Sequence, residues 1–509
     1  MRLPRWFPDP LLATAFGSGL LLALSFPRPD LASVAWFGLV PLFLVMEQRP
    51  FRSGFVAGVG FFGLVLYWLN IVMTTYGRLH PLLSVAAYLL LVAYLALFFG
   101  VATWAACRCR ERLGLSILWT LPVFWVALEF LRSFLLSGFP WATLGYSQQS
   151  HLALIQSADL FGPYGLSFLL ILSNAVLAGT GRMLLQRRWR HLPWPALLIT
   201  AILFAANLGY GFYRLEHQAD DRSRMLQTVL VQGCIDQSVK WDPSYQGRTV
   251  ALYRDLSFDR GDAPSADLVI WPESAVPFYF QEGGPLTEAV VEVPLRTGAY
   301  LLLGSPAYEV VNRRERYLNS AFLLSPRGAV LGRSDKVHLV PFGEYVPFGR
   351  FLPFVEKLVV GIGDFSPGTV SPLPMNGARI GVLVCFEGIF PELARDYVRE
   401  GSDLLVNITN DAWFGRSSAP YQHLAMSRFR AVENRVWLAR AANTGISAIV
   451  APSGRIVAQS PLFERLALRG RVGLGARPTV YTRYGDVLPL LMFLPALWWL
   501  FRCRLRKEK

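Results

Sequence analysis

Seven long apolar segments lie before residue 215 and an eighth follows residue 485, near 10–27, 32–47, 54–75, 82–106, 115–135, 164–181, 193–213 and 486–502. Nothing else in the chain restricts its folding so strongly. A helix needs roughly 20 apolar residues, in a range of about 17–25, to cross the hydrocarbon of a bilayer. Most of these segments meet that length; the second and the last sit at its short end. Hydrocarbon offers no partner to a free backbone N–H or C=O, so a spanning segment folds as a helix that satisfies itself. The expected organisation is a seven-helix membrane region at 1–214, a separate domain at 215–485, and an eighth helix with a basic tail at 486–509.

The 509 residues carry 49 Lys and Arg against 35 Asp and Glu, a formal charge of +14. Such a surplus raises nucleic acid as a partner, but the basic residues form no stripe interleaved with aromatics, so none is expected. They gather instead at alternate ends of the apolar segments: Arg2 and Arg5; Arg49 and Arg52; Arg108, Arg110 and Arg112; Arg182, Arg187, Arg188 and Arg190; and finally Arg502, Arg504, Arg506, Lys507 and Lys509. The intervening loops hold Arg28, Arg78 and Arg132, and 136–163 has no Lys or Arg. Positive loops stay cytoplasmic. A multi-pass protein of a bacterial inner membrane is expected, with both termini in the cytoplasm and 215–485 on the far, periplasmic side. The first segment also fits a cleaved signal peptide, with Ala23-Leu-Ser25 as its small-residue site; either reading leaves the domain outside.

The loop 136–163 contains Phe139-Pro-Trp141 and Tyr146. Aromatic rings favour the membrane interface, and long loops are often functional. Trp141 is therefore a candidate either for an interfacial anchor or for the wall of a lipid entrance. Glu129 and Arg132, three apart on one helix face, are read as reaching the headgroup layer. The five cysteines show neither metal-ligand spacing nor a disulfide framework, so no metal and no cofactor is expected.

Between 226 and 475 short β-type runs alternate with helical stretches. Expected strands are 228–234, 267–271, 300–304, 319–324, 380–384, 403–407 and 447–450; expected helices are 245–258, 285–297, 390–400 and 420–438. The near-continuous apolar character of the strands implies burial on both faces, hence an α/β layered sandwich.

Three charged or nucleophilic residues sit at strand ends in this half: Glu273 in Trp271-Pro-Glu-Ser, Lys336 in Ser334-Asp-Lys-Val-His, and Cys385 closing Arg379-Ile-Gly-Val-Leu-Val-Cys385. A thiol is a weak nucleophile until it loses its proton. A partly buried carboxylate provides a base, and an ammonium group stabilises thiolate and oxyanion. Together they can activate a cysteine; each alone also fits an ordinary packed or paired strand-end residue. His338 and His423 are read as structural, the latter as a capping or packing residue near a helix start, and Cys385 is expected to stay a free thiol, unbridged to Cys234.

These motifs resemble the nitrilase superfamily, the carbon–nitrogen hydrolases with a Glu-Lys-Cys triad. Trp-Pro-Glu273-Ser, Lys336-Val-His-Leu-Val-Pro-Phe-Gly-Glu344 and Val-Cys385-Phe-Glu387 are similar to its three catalytic motifs, and Asn410-Asp-Ala-Trp-Phe-Gly415 to the loop after the next strand. The resemblance implies an αββα sandwich. With the membrane segments, Gln237-Ser-Val-Lys-Trp241 and Gly138-Phe-Pro-Trp141, the whole chain resembles the family of apolipoprotein N-acyltransferases. That resemblance alone implies the substrates: a phospholipid acyl donor, and as acceptor the α-amine of a diacylglyceryl-cysteine lipoprotein. It implies a thioester on Cys385, with Glu273 as base, Lys336 steadying the oxyanion beside a backbone N–H near Phe386, and Glu344 and Glu387 in support. Phe386 stands where nitrilase relatives often have Tyr, which removes any hydroxyl role there. Trp241, Phe342, Phe348 and Phe365 are candidates for the wall and lid of a dry acyl pocket facing the lipid bilayer.

Two other readings compete. A membrane-tethered amidase would pass the acyl group to water. A transporter with a sensor domain would need intramembrane carboxylate chains or broken helix pairs, which the apolar segments do not announce.

Overall fold

Each apolar segment read from the sequence is helical, in part as 3-10 turns, in a computed structural model that describes residues 9–217, 224–258, 265–345 and 365–506. The chain divides into two units. One comprises Met1–Asn70, Pro81–His217 and Tyr484–Lys509; the other comprises Ile71–His80 and Gln218–Arg483. The ten residues from Ile71, placed by hydropathy in the membrane region, thus belong with the second unit.

Four helices of the first unit are long and apolar enough to cross a bilayer: Pro81–Leu113, Ala158–Leu185, Trp194–His217 and Val487–Leu505. Pro50–Val65 and Leu69–Tyr76 meet at 58° and make a fifth span if taken as one. The remaining expected spans form shorter helices, Pro10–Ala23, the interrupted Ala32–Gln48, and Ile117–Arg132. Pro27 and Pro29 follow the first, and Gly38 and Pro41 fall inside the second, where a missing N–H or a flexible backbone interrupts the ladder. At one end of the unit Glu47 accepts hydrogen bonds from Arg110 and Arg182. Arg112 and Arg506 donate to each other's backbone carbonyls, at 2.6 and 3.1 Å. The arginine-rich ends of four segments therefore meet.

Glu129 and Arg132 do not reach outward. They are 8% and 2% exposed. Arg132 donates to the Trp141 carbonyl at 2.7 Å, and Glu129 accepts from the Leu144 N–H at 2.8 Å. The loop 138–148 folds back into the helical unit, and without water its backbone needs partners from side chains. Trp141 itself is fully buried, its ring 4.9 Å from Trp68 and 6.3 Å from Phe139. It is a packing residue of this unit rather than an exposed wall.

The second unit is built on two six-stranded sheets. The first contains β1 (Arg224–Gln232), β2 (Leu268–Ile270), β3 (Tyr300–Val311), β4 (Arg314–Leu324), β5 (Val330–Asp335) and, beyond β1 at the edge, β12 (Leu466–Leu474). The second runs β11 (Ile456–Gln459), β10 (Ala448–Val450), β9 (Trp437–Ala442), β8 (Leu404–Thr409), β7 (Ala378–Val384) and β6 (Leu373–Met375). Alternation along β2 shows the layering. Leu268 and Ile270 pack between the sheets with Ile380, Val382 and Leu404. Val269 and Trp271 face the other way, onto Tyr253 and Val250 of helix Pro243–Phe258 and Val290 and Val293 of helix Pro285–Thr297. Helices Pro391–Arg399 and Ala419–Asn434 pack on the second sheet. The result is the αββα sandwich.

Five strands, β5, β6, β9, β11 and β12, fall outside the expected set, and the helix expected over 420–438 is shorter. It ends at Asn434, where Arg435 turns left-handed at φ 49°, and β9 starts at Trp437. Trp-Leu-Ala-Arg-Ala-Ala favours a helix by propensity, but pairing on both sides with β8 and β10 overrides it.

Gly304 of β3 lets the chain after β2 lie close. A Cβ there would sit 2.6 Å from the Ser274 nitrogen and 2.7 Å from Glu273 Cα. Gly304→Ala is expected to destabilise the second unit by about 1–3 kcal/mol, the usual cost of overpacking, and to displace Glu273. A melting curve matching the wild type would contradict this.

Candidate active site

Pro272 cannot donate to a ladder, so β2 stops and Glu273 projects just past it, 7% exposed. Lys336 follows β5, its N–H donating to the Asn319 carbonyl at 2.8 Å. Cys385 follows β7 at the start of a 3-10 turn, Cys385–Ile389, with φ 55°. A non-glycine residue in that region is strained, and such strain concentrates at functional sites. Glu273 and Lys336 thus come from the first sheet and Cys385 from the second.

Lys336 is 1% exposed. Its Nζ donates to Glu344 Oε1 at 3.0 Å and lies 3.7 Å from Glu273 Oε1. Asn319 Nδ2 bridges the same two carboxylates, 2.8 Å from Glu273 Oε1 and 2.9 Å from Glu344 Oε1. The Asn410 N–H donates to Glu273 Oε2 at 3.0 Å, and the Val340 N–H to Glu344 Oε2 at 2.8 Å. Burial works against the Lys336 ammonium, but Glu344, Glu273, Cys385 and Glu387 together keep it protonated. The Cys385 thiol is pushed up to about 12, first by burial and then by Glu273, with Lys336 opposing. At rest the sulfur holds its proton, in the field of Glu273 and Lys336.

Glu387 joins the two catalytic segments. Its Oε1 accepts from the N–H groups of Val337 and His338 at 2.6 and 2.8 Å, and its Oε2 from the Val384 N–H at 2.7 Å. One buried carboxylate thereby links the residue after Lys336 to the residue before Cys385. Burial raises Glu387 to about 7, and the backbone donors and Lys336 hold it from rising further.

His423 does more than cap or pack a helix. Its Nε2–H donates to the Cys385 carbonyl at 3.1 Å, and Asn407 Nδ2 donates to the same oxygen at 3.2 Å. Arg440, fully buried, contacts Asn407 Oδ1, donates to Asp411 Oδ2 at 2.7 Å and lies 3.0 Å from His423 Nδ1. Burial and Arg440 hold His423 below the usual range, while Arg440 and His423 keep Asp411 ionised. This network fixes the strained cysteine turn from beneath. His338 packs 3.9 Å from the Phe390 ring, its Nε2 without a hydrogen bond, and is lowered to about 4 by burial and Lys336.

The candidate pocket residues separate. Trp241 is half-buried. Phe342 is 40% exposed at φ 61°. The Phe365 N–H donates to the Glu344 carbonyl at 3.2 Å. Phe386 is half-buried, its ring 5.1 Å from Phe390. Phe348 lies outside the described residues. Cys234 and Cys385 are both free thiols. Among the described residues no His, Cys, Asp and Glu group is arranged to hold a metal ion. Sequence reasoning missed Asn319, Lys240 and the His423–Arg440 network. Asn319 and Arg440 do carry a signal, a polar residue inside an otherwise apolar strand; Lys240 and His423 lie outside the strands.

A sandwich that brings Glu, Lys and Cys together from its two sheets defines a carbon–nitrogen hydrolase domain. The family model described as carbon-nitrogen hydrolase matches residues 229–470, and that described as apolipoprotein N-acyltransferase N-terminal domain matches 18–176. The chain is 51% identical to the apolipoprotein N-acyltransferase of Geobacter metallireducens over 475 residues, 92% of this chain and 91% of that one. It is 37% identical to that of Methylococcus capsulatus over 485 residues, 93% and 92% of the two chains, and 33% identical to that of Pseudomonas putida over 507 residues, 97% and 94%. The chain belongs to the apolipoprotein N-acyltransferase family and is an N-acyltransferase of lipoprotein biosynthesis.

Since the thiol keeps its proton far above neutrality, its reactivity near pH 7 depends on an internal base. Alkylation of Cys385 by iodoacetamide is expected to change little between about pH 6.5 and 7.5 in the wild type. In Glu273→Gln it should be at least about tenfold slower at pH 7 and climb about tenfold per pH unit, as hydroxide becomes the base. A flat, fast profile in the variant would remove Glu273 from that role.

Proposed function

We propose that the enzyme moves an acyl chain from a phospholipid to the α-amine of a diacylglyceryl-cysteine lipoprotein through a thioester on Cys385. The observation that carries this reading is the shared Lys336 ammonium, held between Glu273 and Glu344 and in the field of a protonated thiol. Glu273 takes the thiol proton as sulfur attacks the ester carbonyl of the donor. Lys336 steadies the tetrahedral oxyanion, and Glu344, through its 3.0 Å bond, holds Lys336 in place. The C–O bond breaks, Glu273 returns the proton to the departing alkoxide, and lysophospholipid leaves. The lipoprotein amine then attacks the thioester. Glu273 takes its proton, the C–S bond breaks, and the proton returns to sulfur as the amide leaves.

Transfer to an amine rather than to water requires a dry acyl pocket. Two features support access from a bilayer. Phe342 and Trp241 leave aromatic surface near the catalytic segments. The stretch Ile71–His80 packs within the catalytic unit, with Tyr76 5.5 Å from Trp413 in the loop whose Asn410 holds Glu273.

Incubation with phospholipid alone is expected to leave a hydroxylamine-sensitive acyl mass on Cys385, absent from Cys385→Ala and discharged by a diacylglyceryl-cysteine peptide. Steady fatty-acid release with no trapped adduct, indifferent to the peptide, would assign the enzyme to hydrolysis instead.

The proposed topology has eight crossings, the catalytic domain periplasmic and both termini cytoplasmic. A fluorescent protein fused after Lys509 should glow, and alkaline phosphatase fused there should be inactive; the opposite pattern would reverse it.

A further inference from the structure

Lys240 lies between β1 and helix Pro243–Phe258, in Gln237-Ser-Val-Lys-Trp241. It is 1% exposed, among the most buried charges of the catalytic unit. Its Nζ makes one hydrogen bond, to the Glu273 backbone carbonyl at 3.0 Å. Among the described residues no carboxylate stands within ion-pair distance of it, whereas Lys336 has two. A buried cation without a counter-ion is costly, and nothing in the acyl-transfer steps above uses it. We infer that Lys240 is a second positive charge of the active centre, balancing the negative charge that develops at Cys385.

The inference rests on the thioester reading. Charge counting supports it. At rest the site holds Glu273 and Glu344 as carboxylates, Lys336 and Lys240 as ammonium groups, and a neutral thiol. When sulfur attacks, the proton passes to Glu273, and the oxyanion replaces the Glu273 charge. Two cations then face two anions throughout. With Lys336 alone, each of these states carries one excess negative charge in a desolvated place. The nearby Glu387 is held by three backbone donors and Asp411 is paired with Arg440, so neither claims Lys240. Glu273 and Cys385 both act on the Lys240 charge, and burial brings it down to about 8.

Lys240→Gln keeps an N–H donor for the Glu273 carbonyl and drops the charge, which separates an electrostatic role from a structural one. Acyl-adduct formation from phospholipid is expected to slow about 100-fold, the usual cost of losing one oxyanion-stabilising group. The half-saturating phospholipid concentration should stay within about twofold, and iodoacetamide alkylation of Cys385 at pH 7 should slow about tenfold, one pKa unit of thiolate stabilisation. Wild-type rates in Lys240→Gln would overturn the inference and leave only the carbonyl bond. A raised half-saturation with an unchanged maximal rate would also overturn it, placing Lys240 on the donor instead. If the variant does not fold, single-turnover acylation of the wild type decides: its rate should fall above about pH 8 as Lys240 loses its proton, and a rate flat to pH 9.5 refutes the role. Failure of the wild type itself to form an adduct would instead overturn the thioester reading.

Discussion

Lys336 places one ammonium group between two carboxylates where almost no water reaches. Removing such charges from solvent costs several kcal/mol each unless geometry and further hydrogen bonds compensate. Here Asn319, the Asn410 N–H and the Val340 N–H complete the coordination of the carboxylates. Those donors come from β4, from the loop after β8 and from the segment after β5. The pairing therefore works only if both sheets stack in one register, and the sandwich is what supplies that register. Apolar alternation along β2 sets the stacking, and the polar cluster sits at the strand ends where the alternation stops.

The cysteine turn follows the same logic from the other side. A left-handed Cys385 closes an apolar strand, and a strained turn needs partners to persist. His423 and Asn407 grip its carbonyl, and Arg440 fixes both from within the sheet. Glu387 then ties this turn to the lysine segment. Catalytic geometry here is thus held by buried polar groups, each bonded to backbone, rather than by packing alone.

How much of this the sequence disclosed depends on whether the information was local. Glu273, Lys336, Glu344, Cys385 and Glu387 stand in short motifs at strand ends, so their roles could be read from neighbours along the chain. Asn319, Lys240 and His423 act on partners 46, 33 and 38 positions away, and no periodicity encodes such contacts. The strand Trp437–Ala442 was hidden for a related reason: its alanines and arginine favour a helix until the neighbouring strands claim its backbone. In the helical unit, hydropathy located the long helices but not their lengths, because Pro27, Pro41 and the fold-back at Trp141 shorten segments whose composition alone is long enough. Trp141 looked like an interfacial ring because its loop is long and aromatic; the Glu129 and Arg132 side chains, by binding that loop, draw it inward.

The stretch Ile71–His80 is assigned by its contacts to the sandwich, although nearly 140 residues of helical chain separate it from the rest of that unit. A truncation that begins after the last upstream helix would leave Trp413 without the ring that covers it and would uncover apolar surface beside the catalytic loop. The sandwich is therefore not a detachable module fused to an anchor: the anchor has lent it a piece of its own chain, and excising the enzyme cleanly would mean grafting that piece back.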